Sequence, residues 1–321
     1  ELFLENAHHS FMEVNPVLIK EYKKSTTLRR TKTDSVDCES IARWLMTVEY
    51  KPHSKGFYHA YSLKSLTRLR DRLIRQRSFY LVKITNVLDH TFPEFKPFFN
   101  ERLSKTALYL LENYGSAEKM ARMNSASYDK LRCISRGKFS IQQFLRLKEL
   151  ASNTVGVNNS IFDLELNTLL TLYKSLSDEI NTLETEIIKL IEEVHPHYMS
   201  IPGIGPISAA VIYAEYGDIS NFSNPGQMLA FAGIEPGIND SGTESHGGRM
   251  VKHGSSQLRY VLLNACLPLI RFDLTFATYY EKKRAEGKKH RVAITHVAKK
   301  LIRVIYALER QDVDFNAQKL R

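Results

Sequence analysis

Two aspartates three residues apart, Asp34 and Asp37, follow Arg29, Arg30 and Lys32. On a helix such a pair projects from one face, so both carboxylates can reach one Mg²⁺ ion or a pair of them. Hard divalent cations prefer oxygen ligands, and carboxylate-held metals activate a nucleophile and stabilise the leaving oxygen in phosphoryl transfer. Acidic residues also favour the first turn of any helix through its dipole, so the spacing alone leaves a purely structural reading open.

A second stretch, "IPGIGPISAAVIYAEYG" at 201–217, places Gly203 and Gly205 before Pro206. This pattern predicts the tight turn of a helix-hairpin-helix module, whose glycines let a phosphate approach backbone N–H groups at the second helix's start. No Gly-Lys-Ser/Thr follows, which excludes a P-loop. A plain helix-to-helix turn is the competing reading.

The third stretch is a glycine-rich loop over 237–254. It holds Ser241 beside Gly242, then Arg249, Lys252 and His253, with Arg259 just beyond. A hydroxyl on a flexible loop can attack a phosphodiester, and Arg249 or Arg259 can neutralise charge developing on the phosphate. Ser-Gly is also an ordinary turn. His8-His9 and His195-x-His197 have metal-ligand spacing but no Cys or acidic cluster beside them, and read as surface and turn residues.

The elements that must position these groups are mostly helical. "SFMEVNP" reads as a short strand stopped at Asn15-Pro16, followed by a short helix or turn over 16–24 and a basic loop. Thr33 is placed to cap the next helix, with Val36, Ile41, Ala42 and Leu45 as its apolar stripe. "KPHSKGFYHA" reads as a linker or hinge. A helix over 62–90 carries seven cations against Asp71 and Asp89, among them Arg68, Arg72 and Arg75, which suits a nucleic-acid backbone contact; a solvated polar face is the alternative. Residues 101–157 are helical but irregular. From Leu166 to Val194 apolar residues alternate spacings of three and four through Leu169, Tyr173, Leu176, Ile180, Leu183, Ile187 and Leu190, a coiled-coil seam. Its partner is either the basic helix folded back or the same helix of another subunit. Short helices and a final amphipathic helix close the chain.

Composition sets the outer bounds. The 321 residues are 43% hydrophobic and 25% charged, enough for about two folded domains, and 45 Lys+Arg against 35 Asp+Glu leave +10. That excess suits a polyanion, nucleic acid ahead of an anionic membrane surface. No apolar run approaches the roughly 20 residues of a membrane span. Cys38, Cys133 and Cys266 are too scattered for a zinc site or a disulfide framework, so a reducing, cytoplasmic setting is the simple reading.

Two long blocks, "NPVLIKEYKKSTTLRRTKTDSVDCESIARWL" and "IPGIGPISAAVIYAEYGDISNFSNPGQMLAFAGIEPGINDSGTESHGGRMVKHGSSQLRYVLLNA", closely resemble the signature regions of the DEDD-type insertion-sequence transposases, bacterial recombinases guided by a bridge RNA. "YYEKKRAEGKKHRVAITHVAKKLIRVIYAL" resembles their C-terminal segment. The resemblance implies a mainly α protein with a small α/β part. Residues 1–58 would be the end of a RuvC-like, ribonuclease-H-type domain, 59–196 a helical region with the coiled coil (seam 166–194), and 197–321 a helical transposase domain. It further implies that Asp34 and Asp37 match the third and fourth of four Mg²⁺-binding acids, and that Ser241 holds the position of the serine that links covalently to DNA.

The family's first two acids precede the Asn-Pro strand, and Glu1, Glu5 and Glu13 do not sit in their context. The chain therefore reads as an N-terminally truncated form. The function implied is strand cleavage and exchange by a bacterial transposase, with Ser241, Asp34 and Asp37 catalytic and Mg²⁺ as cofactor. Gly203, Gly205, Arg249, Lys252, Arg259, Arg68, Arg72 and Arg75 would hold nucleic acid. The partners would be DNA, a structured guide RNA and further copies of the chain, with no membrane. An inactive nucleic-acid-binding remnant and a hydrolytic Holliday-junction nuclease are the alternatives.

Overall fold

A computed structural model of the chain describes all residues except 1–2, 5–6, 8, 10, 13, 15, 28–32, 50–56, 101–102, 242–243 and 321, and backbone only at 17, 57–59, 220, 236–249 and 319–320. It divides into two compact units, Glu1–His59 and Ala60–Arg321.

The first unit contains helices α1 (Pro16–Thr26) and α2 (Asp34–Leu45), which pack on each other. Pro16 suits a first helical turn because its fixed φ is already helical and its missing N–H has no intrahelical partner to lose. The helix runs two residues beyond the expected 16–24 and ends where Ser25 and Thr26 hydroxyls donate back to the Tyr22 carbonyl. Thr33 caps α2 as expected, its Oγ1 accepting from Val36 N at 3.4 Å. The strand expected before Pro16 is not seen: Phe11, Met12 and Val14 are irregular, and the rest of that stretch lies outside the described residues. A strand needs a neighbour to satisfy its backbone, and no strand is present among the described residues of this unit. The apolar stripe of α2 is likewise uncovered, with Ile41 and Leu45 exposed and no residue of the helix buried.

The second unit is organised by two 35-residue helices, α3 (Phe57–Thr91) and α9 (Ser160–Val194). They run antiparallel along one another. Near one end Leu63 shares a core with Ile187 and Ile191, in the middle Arg70 Nε donates to Glu184 Oε1 at 2.7 Å, and at the other end His90 stacks on Phe162. The basic helix of the same chain thus lies along α9. The buried stripe is Leu166, Leu170, Ile180, Ile187 and Ile191, so alternate positions sit one residue later than the heptad reading placed them, and Val194 is exposed. The buried positions keep a seven-residue repeat, and only the second position of each repeat falls one residue later, the row in which Glu184 turns toward Arg70.

Each end of this hairpin carries its own core. At one end lie α4 (Phe95–Phe98), α5 (Lys105–Tyr114), α6 (Ala117–Ala121), α7 (Ser125–Ile134) and α8 (Ile141–Ser152), around Ile84, Leu88, Phe95, Leu110, Leu131 and Leu147. The sequence irregularity of 101–157 is that of short helices broken by caps: Ser104, Ser116, Asn124 and Ser140 each accept a backbone N–H at a helix start.

At the other end lie α10 (Pro206–Tyr216), α11 (Pro225–Ala232), α12 (Ser256–Phe272), α13 (Leu274–Ala285) and α14 (His290–Gln311). Between α11 and α12 runs an antiparallel ribbon, β1 (Pro236–Ser241) and β2 (Glu244–Met250). No single described helix is long and apolar enough to cross a membrane; α12 and α13 pass that test only together, bent by 106°.

Glu215, in the last turn of α10, fixes the hairpin to this core. Its carboxylate is 1% exposed and receives Arg68 Nε at 2.9 Å and Nη2 at 3.1 Å, with Lys64 Nζ at 3.8 Å. The two sides of this pair are unequal, because Arg68 is 48% exposed. Arg68→Ala leaves a buried carboxylate with only the distant Lys64 and is expected to cost about 3 kcal/mol. Glu215→Gln leaves a guanidinium that water can reach and is expected to cost about 1 kcal/mol. Chemical denaturation of the two variants checks the order.

The tail after α14 folds back on the 3₁₀ turn His197–Ser200. Nε2 of His197 faces Asp312 Oδ1 at 2.9 Å and Nδ1 faces Asp314 Oδ1 at 3.0 Å, while Phe315 N donates to Ser200 Oγ at 2.8 Å. With a carboxylate on each ring nitrogen both must carry hydrogen, so the imidazolium is favoured. The bonds to Asp314 and Asp312 raise its pKa above 6.5, with a further contribution from Glu309. A raised value means that this contribution to stability is complete below pH 6.5 and is lost as pH climbs through the folded-state value. The stability gap between wild type and His197→Ala, followed by thermal melting across pH, is expected to close on the alkaline side.

Candidate catalytic ribbon and nucleic-acid contacts

Asp34 and Asp37 occupy the first turn of α2 behind the Thr33 cap. Asp34 is exposed, and Asp37 Oδ1 accepts from Lys23 Nζ of α1 at 2.6 Å. Sequence reasoning missed Lys23, which lies 14 residues away with the two helices' junction between. The ammonium sits where a cation bound by Asp37 would sit. No group of three or more His, Cys, Asp or Glu able to hold a metal is present among the described residues. Mg²⁺ keeps several waters and is usually held by one or two carboxylates together with substrate phosphates, so Asp34 and Asp37 fit such an ion once Lys23 gives up Asp37.

Ser241 is the last residue of β1, paired with Glu244, the first of β2. The expected flexible loop is therefore a hairpin, with Ser241 at its tip. Its side chain, and that of Arg249, lie outside the described residues. The register steps by one between Pro236↔Met250 and Ile238↔Gly247, a bulge at the hairpin's base.

That base is held by two glycines that sequence reading passed over. Gly233 caps α11 in the left-handed region at φ +65°, its N–H bonded to Ala230 O. A Cβ on Gly254 would lie 2.0 Å from Phe231 O and 2.5 Å from Gly233 N. Val251 N to Glu235 O and Ser255 N to Phe231 O close the frame. Arg259, expected at a phosphate, instead sends Nη1 to the Ala232 carbonyl at 3.1 Å, where it satisfies the end of α11. Lys252, on the chain leaving the ribbon, is exposed.

The turn before α10 also differs from its expectation. It is preceded by the 3₁₀ turn His197–Ser200 rather than by a full helix. Gly203, at φ +97°, is pressed against α12: a Cβ there would meet Pro268 Cγ at 2.7 Å and Ala265 O at 3.0 Å. Its lack of a side chain serves helix packing, and that face is closed to a phosphate. Gly205, the N-cap of α10, has open space where its Cβ would be.

On α3, Arg68 is committed to Glu215, Arg72 is exposed, and Arg75 makes an exposed pair with Asp71. The other potential nucleophiles of this core are structural. Burial pushes the Cys266 thiol up to about 12, and burial raises the phenols of Tyr198 and Tyr216, which donate to Ala209 O and Met228 O.

Residues 196–281 match the family model described as "Transposase IS116/IS110/IS902 family", and residues 2–93 match the DEDD transposase model of IS110. The chain belongs to this transposase family. Among its relatives, the IS110 uncharacterized 43.6 kDa protein of Streptomyces coelicolor is 27% identical over 74% of this chain and 60% of its own length. The IS900 uncharacterized 42 kDa protein of Mycobacterium paratuberculosis is 28% identical over 87% and 71%. The transposase for insertion sequence element IS1111A of Coxiella burnetii is 25% identical over 80% and 59%. The chain thus spans roughly three fifths to seven tenths of the length of these relatives. Asp34 and Asp37 fall inside one matched segment of the chain, and Gly203, Gly205, Ser241, Arg249, Lys252 and Arg259 inside the other.

The glycine geometry predicts a sharp division. Gly254→Ala and Gly203→Ala are each expected to cost about 2–3 kcal/mol through overpacking, and Gly205→Ala to stay within about 0.5 kcal/mol. Thermal melting of the three variants distinguishes packing glycines from open ones.

Proposed function

We propose that this protein cleaves and exchanges DNA strands for a bacterial insertion sequence, with Ser241 as nucleophile. The observation that carries this reading is the position of Ser241 at the tip of a hairpin anchored by packed glycines and a half-buried Arg259 contact, within the family-matched segment. A nucleophile on a rigidly mounted tip can enter a phosphodiester while its supports stay fixed. Attack by Oγ forms a phosphoserine ester, breaks the P–O bond to the leaving deoxyribose oxygen, and transfers the hydroxyl proton to a base. A later strand hydroxyl reverses the ester onto the new partner.

Asp34 and Asp37 are proposed to hold Mg²⁺ together with acids beyond the described residues, with Lys23 released from Asp37. Bound there, the ion would supply charge stabilisation for the phosphate. Arg249 and Lys252 are proposed to hold the scissile phosphate, and Arg72 and Arg75 to hold the flanking backbone. Gly205, unlike Gly203, has the open space a phosphate needs. The partners on this reading are DNA, a structured guide RNA and further copies of the chain, in the bacterial cytoplasm.

The Lys23 ammonium on Asp37, which stands where a cation would bind, favours one second reading, a chain that binds nucleic acid without cutting it. Incubation with element-end DNA and Mg²⁺, followed by denaturing gels, separates the two. A covalent protein–DNA adduct is expected, reduced by roughly 10³-fold or more in Ser241→Ala and lost with a chelator or in Asp34→Ala. An adduct that survives Ser241→Ala overturns the serine's role, and binding with no adduct from wild type selects the second reading.

A further inference from the structure

The elbow between α13 and α14 lies beyond both family-matched segments, 2–93 and 196–281. Over 281–303 there are nine Lys or Arg against Glu281 and Glu286, so most of the chain's net charge of +10 resides in these residues. Glu286 is occupied, receiving both bonds from Lys283 Nζ at 2.9 Å. Among the described residues no carboxylate pairs with Lys282, Arg284, Lys288, Lys289 or Arg291, and all five are exposed.

The elbow is rigid as well as basic. Gly287 turns it at φ +79°, Lys288 N donates to Lys283 O at 3.2 Å, and Arg284 Nη1 donates to Lys288 O at 2.7 Å. Tyr280 OH meets His290 Nδ1 at 2.7 Å, tying the start of α14 to α13. The two helix ends that carry the cations are thereby held together. His296 senses this, its pKa lowered by burial and then by Lys299, Lys283 and Lys288. In the free protein these charges repel one another and the positive end of the α14 backbone. Such crowding serves no packing purpose and is relieved by a polyanion.

The aromatic rings beneath are closed to bases. Lys300 Nζ sits 5.1 Å from the Phe276 ring centre and 5.3 Å from that of Tyr279, and Lys283 covers Tyr279 at 5.6 Å. Single-strand binding relies on exposed aromatics as stacking platforms, and here the chain's own cations take those positions. What remains is a fixed array of point charges suited to a sugar-phosphate backbone.

We propose that the α13–α14 elbow is a sequence-independent docking surface for duplex DNA, with Lys282, Lys288, Lys289 and Arg291 contacting phosphates. This rests on the reading of the protein as one that handles DNA, and adds a contact surface separate from the Ser241 ribbon.

The test is anisotropy titration of the full chain with a labelled duplex across a salt series. Wild type is compared with the triple variant Lys288→Gln/Lys289→Gln/Arg291→Gln, with Arg284 retained to preserve the elbow. Each lost contact removes about 0.9 from the slope of log affinity against log salt, so the triple variant is expected to be shallower by about 2–3, with melting unchanged. Glu286→Gln, which frees Lys283, is expected to bind more tightly. A triple variant with the wild-type slope and affinity overturns the elbow assignment while leaving the transposase reading intact. Wild type that fails to bind duplex even at low salt sinks that broader reading. A triple variant that loses duplex RNA but keeps its DNA curve reassigns the surface to RNA and overturns the proposal.

Discussion

The second unit depends on one buried charge. Glu215 stands at the carboxyl end of α10, a helix whose neighbouring residues Ala209, Ala210, Ile212 and Ala214 are buried and apolar. A carboxylate there is opposed both by desolvation and by the negative end of the helix backbone. It is tolerable only where Arg68 and Lys64 reach it, which fixes α3 along and around its own axis. From that register the rest follows: Arg70 meets Glu184, Leu63 enters the core beside Ile187 and Ile191, and the far end of the hairpin arrives at the second core through Ile84 and Leu88. The same contact divides the cations of the basic helix. Lys64, Arg68 and Arg70 are bound into the fold, and Arg72 is left exposed.

The ribbon that carries Ser241 shows the same economy in its glycines. Gly233 and Gly254 approach each other so closely that neither has room for a methyl group, and together with Val251 N they join both strands to the end of α11. Movement at the tip is thereby separated from the base, which belongs to the core. Glycine here has two distinct uses: Gly203, Gly233 and Gly254 allow backbone to touch backbone or helix, while Gly205 leaves open space.

Much of this was legible in the sequence, where the signal is local. Thr33 as a cap, the helix behind Asp34, the long seam and the amphipathic last helix all follow from spacing and from side chains that act within a turn or two. What the sequence does not show has a common cause. The partner of Arg68 is 147 residues away, and the acceptor of Arg259 is a backbone carbonyl invisible to composition. Gly203 advertised close approach but not by what. The ribbon, written in Gly, Asn, Asp and Ser rather than β-branched residues, has little strand propensity, and forms where anchored neighbours hold its ends. Heptad counting places Leu169 and Leu190 where the structure buries Leu170 and Ile191, since a three-four alternation can be entered at either phase.

Net charge is informative only after the charges spent inside the fold are set aside. Arg68, Arg70, Lys64 and Lys283 each face a carboxylate, and Arg259 a carbonyl, so none of them is available to a partner without loss to the structure. Among the described residues, the exposed cations with no carboxylate partner include Arg72 on α3, Lys252 beside the ribbon, Lys130, Arg132, Arg136 and Lys138 on and just after α7, and the cluster around the α13–α14 turn. A solubilising excess would gain most from dispersal, because like charges close together repel. Concentration on one rigid elbow forfeits that gain, and a polyanion recovers it by releasing counterions at each phosphate. The distribution of unpaired cations, more than their number, is therefore the physical argument that this surface works against nucleic acid.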